Sequence, residues 1–491
     1  MHQTGDRIHE QMVRQRVRLT LHITGSFLKY FALAYILPLC VAIYYGEANW
    51  HIYLYALLIT LGVGLILEFG FKTARVIERT DGFTIVAFTW LLISLFGTLP
   101  YVFLHLSFLD AFFEAMSGFT TTGATILSGP ATEAGFFPFP KSLLLWRSLT
   151  QWLGGMGVIA LFVAILPRLG VGGSQLFDRE FPSPLPERIR PRFSTTARLL
   201  WTIYVGFTVA EIALLRLLAE VPLFDSICIS FSTLSTGGFT PTVQSIGFYG
   251  NPVAEGTIMV FMFLAGMSFI VHYHILRGNW RAIKDDEFRP YIIIIAAAIF
   301  LLIAAQGFGS YRAEMFQAIS IMTTTGFVTS DFGTWASSAK MVLLALMFIG
   351  ACGGSTGGGI KVVRISTLMK HTRVMMRKAI FPNAVIPLKY NRKPLQEGIV
   401  RDIISFFFLY ILVALVASLV LCFLGLDVET AVSAVAATLG NVGPGLAAVG
   451  PYSNYASLPD AAKSVLIVCM WLGRLELFTV LMMFSPRLWK G

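Results

Sequence analysis

Ten apolar runs dominate this chain, near residues 27–45, 52–70, 83–105, 142–167, 197–219, 254–276, 290–306, 337–360, 402–424 and 463–484. A helix that crosses a bilayer needs about 20 mostly apolar residues, so runs of this length and number leave few other folds open. The chain has 491 residues, 56% hydrophobic and 13% charged, with a mean hydropathy of +0.72. That balance excludes a disordered protein and argues against a soluble multidomain one. The expectation is an all-α polytopic membrane protein with ten transmembrane helices.

Basic residues set the expected orientation. With the N-terminus inside, 30 of the 37 Lys and Arg fall on the inner side. The outer segments keep Lys141, Arg312, Lys340 and Lys463, while Arg147, Arg216 and Arg474 lie within spans. This bias predicts that both termini are cytoplasmic. It also accounts for the net charge of +10 without a nucleic-acid partner, since basic inner loops face anionic lipid. The long basic start, residues 1–25, precedes no small-residue cleavage site and reads as a retained segment. The five cysteines lack paired or CxxC spacing, which gives no basis for a disulfide framework or a zinc site.

Four intervals between spans are too apolar for ordinary loops: FLDAFFEAMSGFTTTGAT, PLFDSICISFSTLSTGGFT, YRAEMFQAISIMTTTGFVT and LDVETAVSAVAATLGNVGPG. Each is a half-length helical stretch followed by small or hydroxyl-bearing residues, and all four fall on the outer side. The chain therefore reads as two leading helices and four helix–re-entrant–helix units. Aligned on their glycines, the units give Thr121-Thr122-Gly123, Ser235-Thr236-Gly237, Thr324-Thr325-Gly326 and Asn441-Val442-Gly443. Acidic residues recur upstream as Asp110, Asp225, Glu314 and Asp427, the last with Glu429. One such triplet means nothing; four after half-helices on one face form an internal repeat.

Irregular backbone at membrane depth is tolerated only where it is buried in protein or lines an aqueous cavity. Four such strands around one axis would stack carbonyl oxygens that replace the hydration shell of a monovalent cation. The half-helices would turn their negative C-terminal ends toward it. The outer carboxylates are expected to line the vestibule and concentrate cations there. One aligned glycine per unit, without a TVGYG sequence, predicts fewer dehydrated sites and softer discrimination than in tetrameric potassium channels.

These repeats, together with IGACGGSTGGGIKVVRI (349–365), QWLGGMGVIALFVAILPRLGVGG (151–173) and GRLELFTVLMMFSPRLW (473–489), resemble the TrkH branch of the Trk/Ktr/HKT potassium transporters. The resemblance covers nearly the whole chain. It implies a pseudo-fourfold pore in each subunit, a homodimer in the lipid of the bacterial inner membrane, and a cytosolic TrkA-type nucleotide-binding regulatory ring. It also implies inward potassium transport, with potassium as substrate and no cofactor in this chain. Gly440 departs from the pattern, where a second Asn would precede Asn441.

The eighth span carries Gly353, Gly354, Ser355, Thr356, Gly357, Gly358 and Gly359. Each glycine costs about 1 kcal/mol relative to alanine in a helix, so the span should break there. A phosphate-binding loop is excluded because Lys361 does not follow the last glycine directly and no strand precedes. The family uses the matching stretch as a gate. Arg474, mid-span, would cost at least ~2.5–3.5 kcal/mol unpaired. The resemblance puts its guanidinium on the pore axis; an internal ion pair or backbone-carbonyl partner is the other reading. Arg147 and Arg216 lie nearer the outer ends and could snorkel. Glu211, His272 and His274 read as packed or water-facing polar groups.

The expected organisation is 1–80 leading helices, 81–168 pore repeat 1, 169–196 linker and 197–276 pore repeat 2. There follow 277–370 pore repeat 3 with its broken second helix, 371–401 linker and 402–491 pore repeat 4. No loop is long enough for a soluble domain, so nucleotide sensing would need a partner. An enzyme is not indicated: HExxH and GxSxG are absent, and Asp285-Asp286 reads as a solvated loop pair. A proton- or sodium-coupled symporter with alternating access is the remaining rival.

Overall fold

The computed structural model describes residues 2–73, 79–128, 135–157, 193–307, 311–384, 386–391 and 393–485. Among these the only sheet is a short antiparallel hairpin, β1 (Lys389–Tyr390) against β2 (Lys393–Pro394). Everything else regular is helical.

The chain begins with α1 (His2–Phe31), α2 (Ile36–Tyr44) and α3 (Trp50–Gly70). Four units follow, each with a long helix, a short helix and a second helix that breaks. The long helices are α4 (Arg79–Gly97, extended by α5, Leu99–Phe103), α8 (Phe193–Leu217), α12 (Phe288–Gln306) and α16 (Glu397–Phe423). The short ones are α6 (Phe108–Phe119), α9 (Leu223–Leu234), α13 (Tyr311–Met322) and α17 (Val428–Leu439), all of 12 residues. At 1.5 Å per residue each short helix is about 18 Å long, too short to cross ~30 Å of hydrocarbon. Local chemistry sets their starts. Ser107 accepts from the Asp110 amide, Asp427 accepts from the Thr430 amide, and Pro222 sits directly before α9.

The second helices break where glycine weakens them. α7 (Lys141–Trp152) runs into a π turn at Leu153–Gly157. α10 (Pro252–Ala265) and α11 (Phe269–Leu276) meet at 100°. α14 (Ser337–Ile349) and α15 (Val362–Ile380) are separated by residues 350–361. α18 (Asp460–Arg474) and α19 (Leu477–Met483) meet at 114°.

Six described helices are long and apolar enough to cross a membrane, or eight when each bent pair counts as one span. Two of the ten expected spans fall outside that set. The run at 142–167 continues past the described residues at 157, and the run at 337–360 is interrupted by its glycines. The linker 169–196 lies outside the described residues up to 192, and 371–401 includes the end of one helix and the start of another. α15 extends to Ile380 and α16 begins at Glu397, with the hairpin between them.

The leading helices pack against the first and fourth units in one continuous core that includes Tyr35, Trp90, Phe119, Trp146, Leu439 and Trp471. Tyr35 stacks on Trp146 with centroids 4.5 Å apart, and its hydroxyl donates to the Phe96 carbonyl at 2.8 Å. Trp146 in turn donates to the Gly97 carbonyl at 3.2 Å. The buried ring systems thus hold α7 and the start of its break against α1 and α4.

Candidate functional site

Each short helix ends in the same backbone turn. Thr121, Thr236, Thr324 and Asn441 all adopt positive φ, from 52° to 60°. Two residues on, Gly123, Gly238, Gly326 and Gly443 do so as well, at 83°, 81°, 78° and 102°. The amides between them repeat one bond: Thr122, Gly237, Thr325 and Val442 donate to Ser117, Ser232, Ser320 and Ala437. This fixes the register and corrects the second unit by one residue. Gly238, not Gly237, is the counterpart of Gly123, Gly326 and Gly443. Gly237 instead takes the place of Thr122, Thr325 and Val442, so Ser235 aligns with Thr120.

The four turns close into a circle. A Cβ on Gly123 would meet the Gly237 carbonyl, one on Gly238 the Thr325 carbonyl, one on Gly326 the Val442 carbonyl, and one on Gly443 the Thr122 carbonyl. All four contacts would be under 3.0 Å, so the tight approach accepts only glycine. Asn441 spans the closing seam, donating to the Thr122 hydroxyl at 2.9 Å and to the Met470 carbonyl at 3.2 Å.

Side chains behind the circle hold it. Gln151 donates to the Gly237 carbonyl at 2.6 Å and accepts from the Phe239 amide at 3.0 Å. The Tyr455 hydroxyl donates to the Gly443 carbonyl at 2.8 Å. Thr120 and Thr323 each pair their hydroxyl with that of the residue two ahead, Thr122 and Thr325, at 2.8 Å. Arg147 does not snorkel. It is 1% exposed and pairs with Glu114 at 2.8 Å, also donating to the Thr240 carbonyl and the Thr125 hydroxyl. Glu114 accepts further from the Ile126 amide at 2.9 Å, and the guanidinium lies 4.2 Å from the Phe239 ring centroid. One buried ion pair thus ties the first two units together just past their glycines.

Above the circle is a cavity of about 230 Å³, lined by Gly123, Gly238, Gly326 and Gly443, by small, aliphatic and aromatic residues, and by Arg147. No Asp or Glu is among its lining residues within the described part of the chain. Asp110, Asp225, Glu314 and Asp427 are therefore not its walls, which corrects their assignment to the vestibule. They sit at the starts of the short helices, a helix length from the circle. Lys463 of α18 pairs with Asp110 of α6 at 2.7 Å. Lys340 of α14 pairs with Glu429 of α17, and Glu255 of α10 with Arg312 of α13, both at 3.0 Å. Lys141 of α7 lies 5.6 Å from the ring centroid of Phe224 in α9. Each second helix is thus fastened to the short helix of the next unit, all the way round.

Beneath the circle, residues 350–361 form a packed plug. The Gly358 amide donates to the Thr324 hydroxyl at 2.8 Å, and the Thr356 hydroxyl donates to the Leu234 carbonyl at 3.0 Å. The glycines break the span as expected, yet the loop is tied down rather than loose. Arg474, 8% exposed, donates to the carbonyls of Thr356, Gly154 and Gly155 at 2.7–2.8 Å. The backbone-carbonyl reading is therefore what this side chain does. Glu476 turns away to pair with Arg364 at 2.9 Å. The cavity between Arg474 and residues 357–359 is about 20 Å³, room for about one water.

His272 bonds the Leu264 carbonyl at 2.8 Å across the α10–α11 bend, and Glu211 is fully buried in α8. Sequence reading missed Glu114, Gln151 and Tyr455. The first left a signal: a carboxylate inside an apolar half-helix, facing a span with one arginine in its outer half. Chemically, the site gathers neutral oxygens with no carboxylate among the described residues lining it, under a wide outer cavity and over a closed floor.

A family profile described as "TrkH: Cation transport protein" matches residues 54–308 and 292–490. The Trk system potassium uptake protein TrkH of Salmonella typhimurium is 38% identical, covering 96% of this chain and 99% of its own. TrkH of Halomonas elongata is 37% identical with the same coverage. The crystal structure of the potassium transporter TrkH from Vibrio parahaemolyticus superposes with a TM-score of 0.84 at 34% identity, over 96% of this chain and 99% of that one.

Proposed function

The chain belongs to the TrkH family of cation transport proteins, and on that premise we propose that it takes up potassium through a gated pore at the circle of four glycine turns. It is a transporter and not an enzyme, with potassium as its cargo. The observation that carries this reading is the closed set of glycine-to-carbonyl approaches, which assembles neutral oxygens around one axis. Such oxygens can stand in for the water a monovalent cation sheds.

The residues around that axis would be Thr121, Thr122, Gly123, Ser235, Thr236, Gly237, Gly238, Thr324, Thr325, Gly326, Asn441, Val442 and Gly443. Ten spans with pseudo-fourfold arrangement and both termini inside fit the basic bias and the repeated units. Purified protein in liposomes should take up rubidium, with sodium a weak competitor. Flux without ion preference would sink the reading. Imposed proton or sodium gradients that drive rubidium uphill would establish coupling, and so revive the symporter alternative.

The floor is read as a gate. Arg474 places a positive charge in low dielectric, where a passing cation is poorly screened from it, and its three carbonyl bonds clamp the loop shut. Arg474→Ala removes all three bonds and is expected to raise basal rubidium flux at least about tenfold, since even one charge-assisted bond is worth about 1.5–3 kcal/mol. Deleting Gly357 to Gly359 should raise it too, and the two effects should be less than additive because one barrier is removed twice. Wild-type flux in both folded variants would make Arg474 a purely structural residue.

The family resemblance also supports a homodimer and a cytosolic TrkA-type regulatory ring that meets the basic inner face. Arg377 and Lys378 lie at the end of α15; Arg188 and Arg190 lie outside the described residues. Charge reversal at these four positions should lower co-purification with the ring at physiological salt. Undiminished association would leave them the sole task of orienting the chain.

A further inference from the structure

Asp285, Asp286 and Glu287 lead into α12, and the sequence reads the first two as solvated. The structure partners all three. Asn391, at the turn between β1 and β2, donates through its side chain to Asp285 at 2.7 Å and through its amide to Asp286 at 2.9 Å. Its side-chain oxygen accepts from the Asp286 amide at 2.9 Å. Lys370 of α15 pairs with Asp286 at 2.8 Å, and the Tyr390 hydroxyl donates to Asp285 at 3.3 Å. Asp285 accepts from the Glu287 amide at 2.7 Å.

Glu287 itself turns the other way. It is 6% exposed, and one oxygen, Oε1, accepts from the Gly353 amide at 2.6 Å and the Val363 amide at 3.0 Å. Gly353 lies near the start of the plug and Val363 in the first turn of α15, just past its end, so a single acceptor ties the loop to the helix that follows it. Without it, two buried N–H groups would lose their partner. We propose that Glu287 is the positioning residue that holds residues 350–361 closed beneath the circle, and that the β1–β2 hairpin reaches the loop through it. The inference rests on the reading of that loop as a gate.

Burial pushes the Glu287 carboxyl up to about 8, with Asp285, Lys361 and the Cys352 thiol as its charged or titratable neighbours. Oε1 can accept from both amides while a proton rides on Oε2, so the hold does not require the charge. Glutamine keeps that acceptor; alanine does not.

The test uses the full chain, without a regulatory partner, in liposomes and in detergent. Cys352 adjoins Gly353 and is 2% exposed, so its reaction with a water-soluble maleimide reports loop release. Glu287→Ala should raise basal rubidium flux about tenfold and speed Cys352 labelling by a similar factor, with Glu287→Gln near wild type on both. A monodisperse Glu287→Ala with unchanged flux and labelling, while Arg474→Ala raises flux, overturns the proposal and spares the gate. If Arg474→Ala and the loop deletion leave flux unchanged, the gate reading falls, and Cys352 labelling still decides whether Glu287 holds the loop. Should Glu287→Ala not fold, Asn391→Ala decides: faster Cys352 labelling supports the path from the hairpin, and an unchanged rate overturns it.

Discussion

Alanine at Gly238 is expected to abolish selective uptake, while alanine at Gly237 leaves a measurable, potassium-preferring flux. The two positions are adjacent, but their backbones differ. Gly238 holds φ at 81°, a region that costs an L-residue with a Cβ about 1–2 kcal/mol. Its Cβ would also run into the Thr325 carbonyl, which is backbone and belongs to the next unit. Relief requires the third turn to move, and a shift there passes to Gly326 and so around the circle. At Gly237 the φ is ordinary, and the atoms nearest the added methyl all belong to the Gln151 side chain, so the disturbance is to one brace behind the circle and not to the backbone of the next unit. Alanine at Gly123, Gly326 or Gly443 should behave as at Gly238. Rubidium uptake in liposomes against rising sodium measures this. Equal loss at Gly237 and Gly238 would return the register to the alignment read from sequence.

Arg147→Ala should cost about 3–5 kcal/mol of stability, the toll of stranding one partner of a buried ion pair. Both side chains are almost fully covered, at 2% and 0% exposure, so water cannot take the place of the guanidinium beside Glu114. The loss also frees the Thr240 carbonyl and the Thr125 hydroxyl, which lie just beyond the glycines of two units. A thermal melt in detergent should therefore fall steeply, and residual uptake should lose its ion preference. Replacing both residues, Glu114→Leu with Arg147→Met, should recover most of the melting temperature, because no orphaned charge remains. If Arg147→Ala melts with the wild type, the pair is not what holds these strands.

The all-helical polytopic character and the half-length helices were legible because hydropathy and run length are properties of local sequence. Register in the second unit was not, since Gly237-Gly238 offers two alignments and only the sign of φ chooses between them. The acidic residues were misplaced for a different reason. A carboxylate at a helix start satisfies amides or a neighbouring lysine, and sequence cannot say that the start lies a helix length from the axis. The break at 353–359 could be read from its glycines, whereas its tightness depends on Glu287, Thr324 and Leu234, all distant in sequence. Arg147 pointed outward only while its partner, 33 positions away, was unknown.

The seam between the fourth and first units joins Asn441 to Thr122 across 319 positions and Lys463 to Asp110 across 353. Loop-closure entropy grows only logarithmically, so the distance adds little to the equilibrium cost. Its effect is on timing. During synthesis the first unit enters the bilayer long before its neighbour across the seam exists, and three inserted units make an arc with one side missing. The circle of turns is therefore completed only when nearly the last of the chain has emerged. Arg474 lies eleven residues beyond Lys463, so the side chain that ties down the loop beneath arrives together with the residues that close the circle above it.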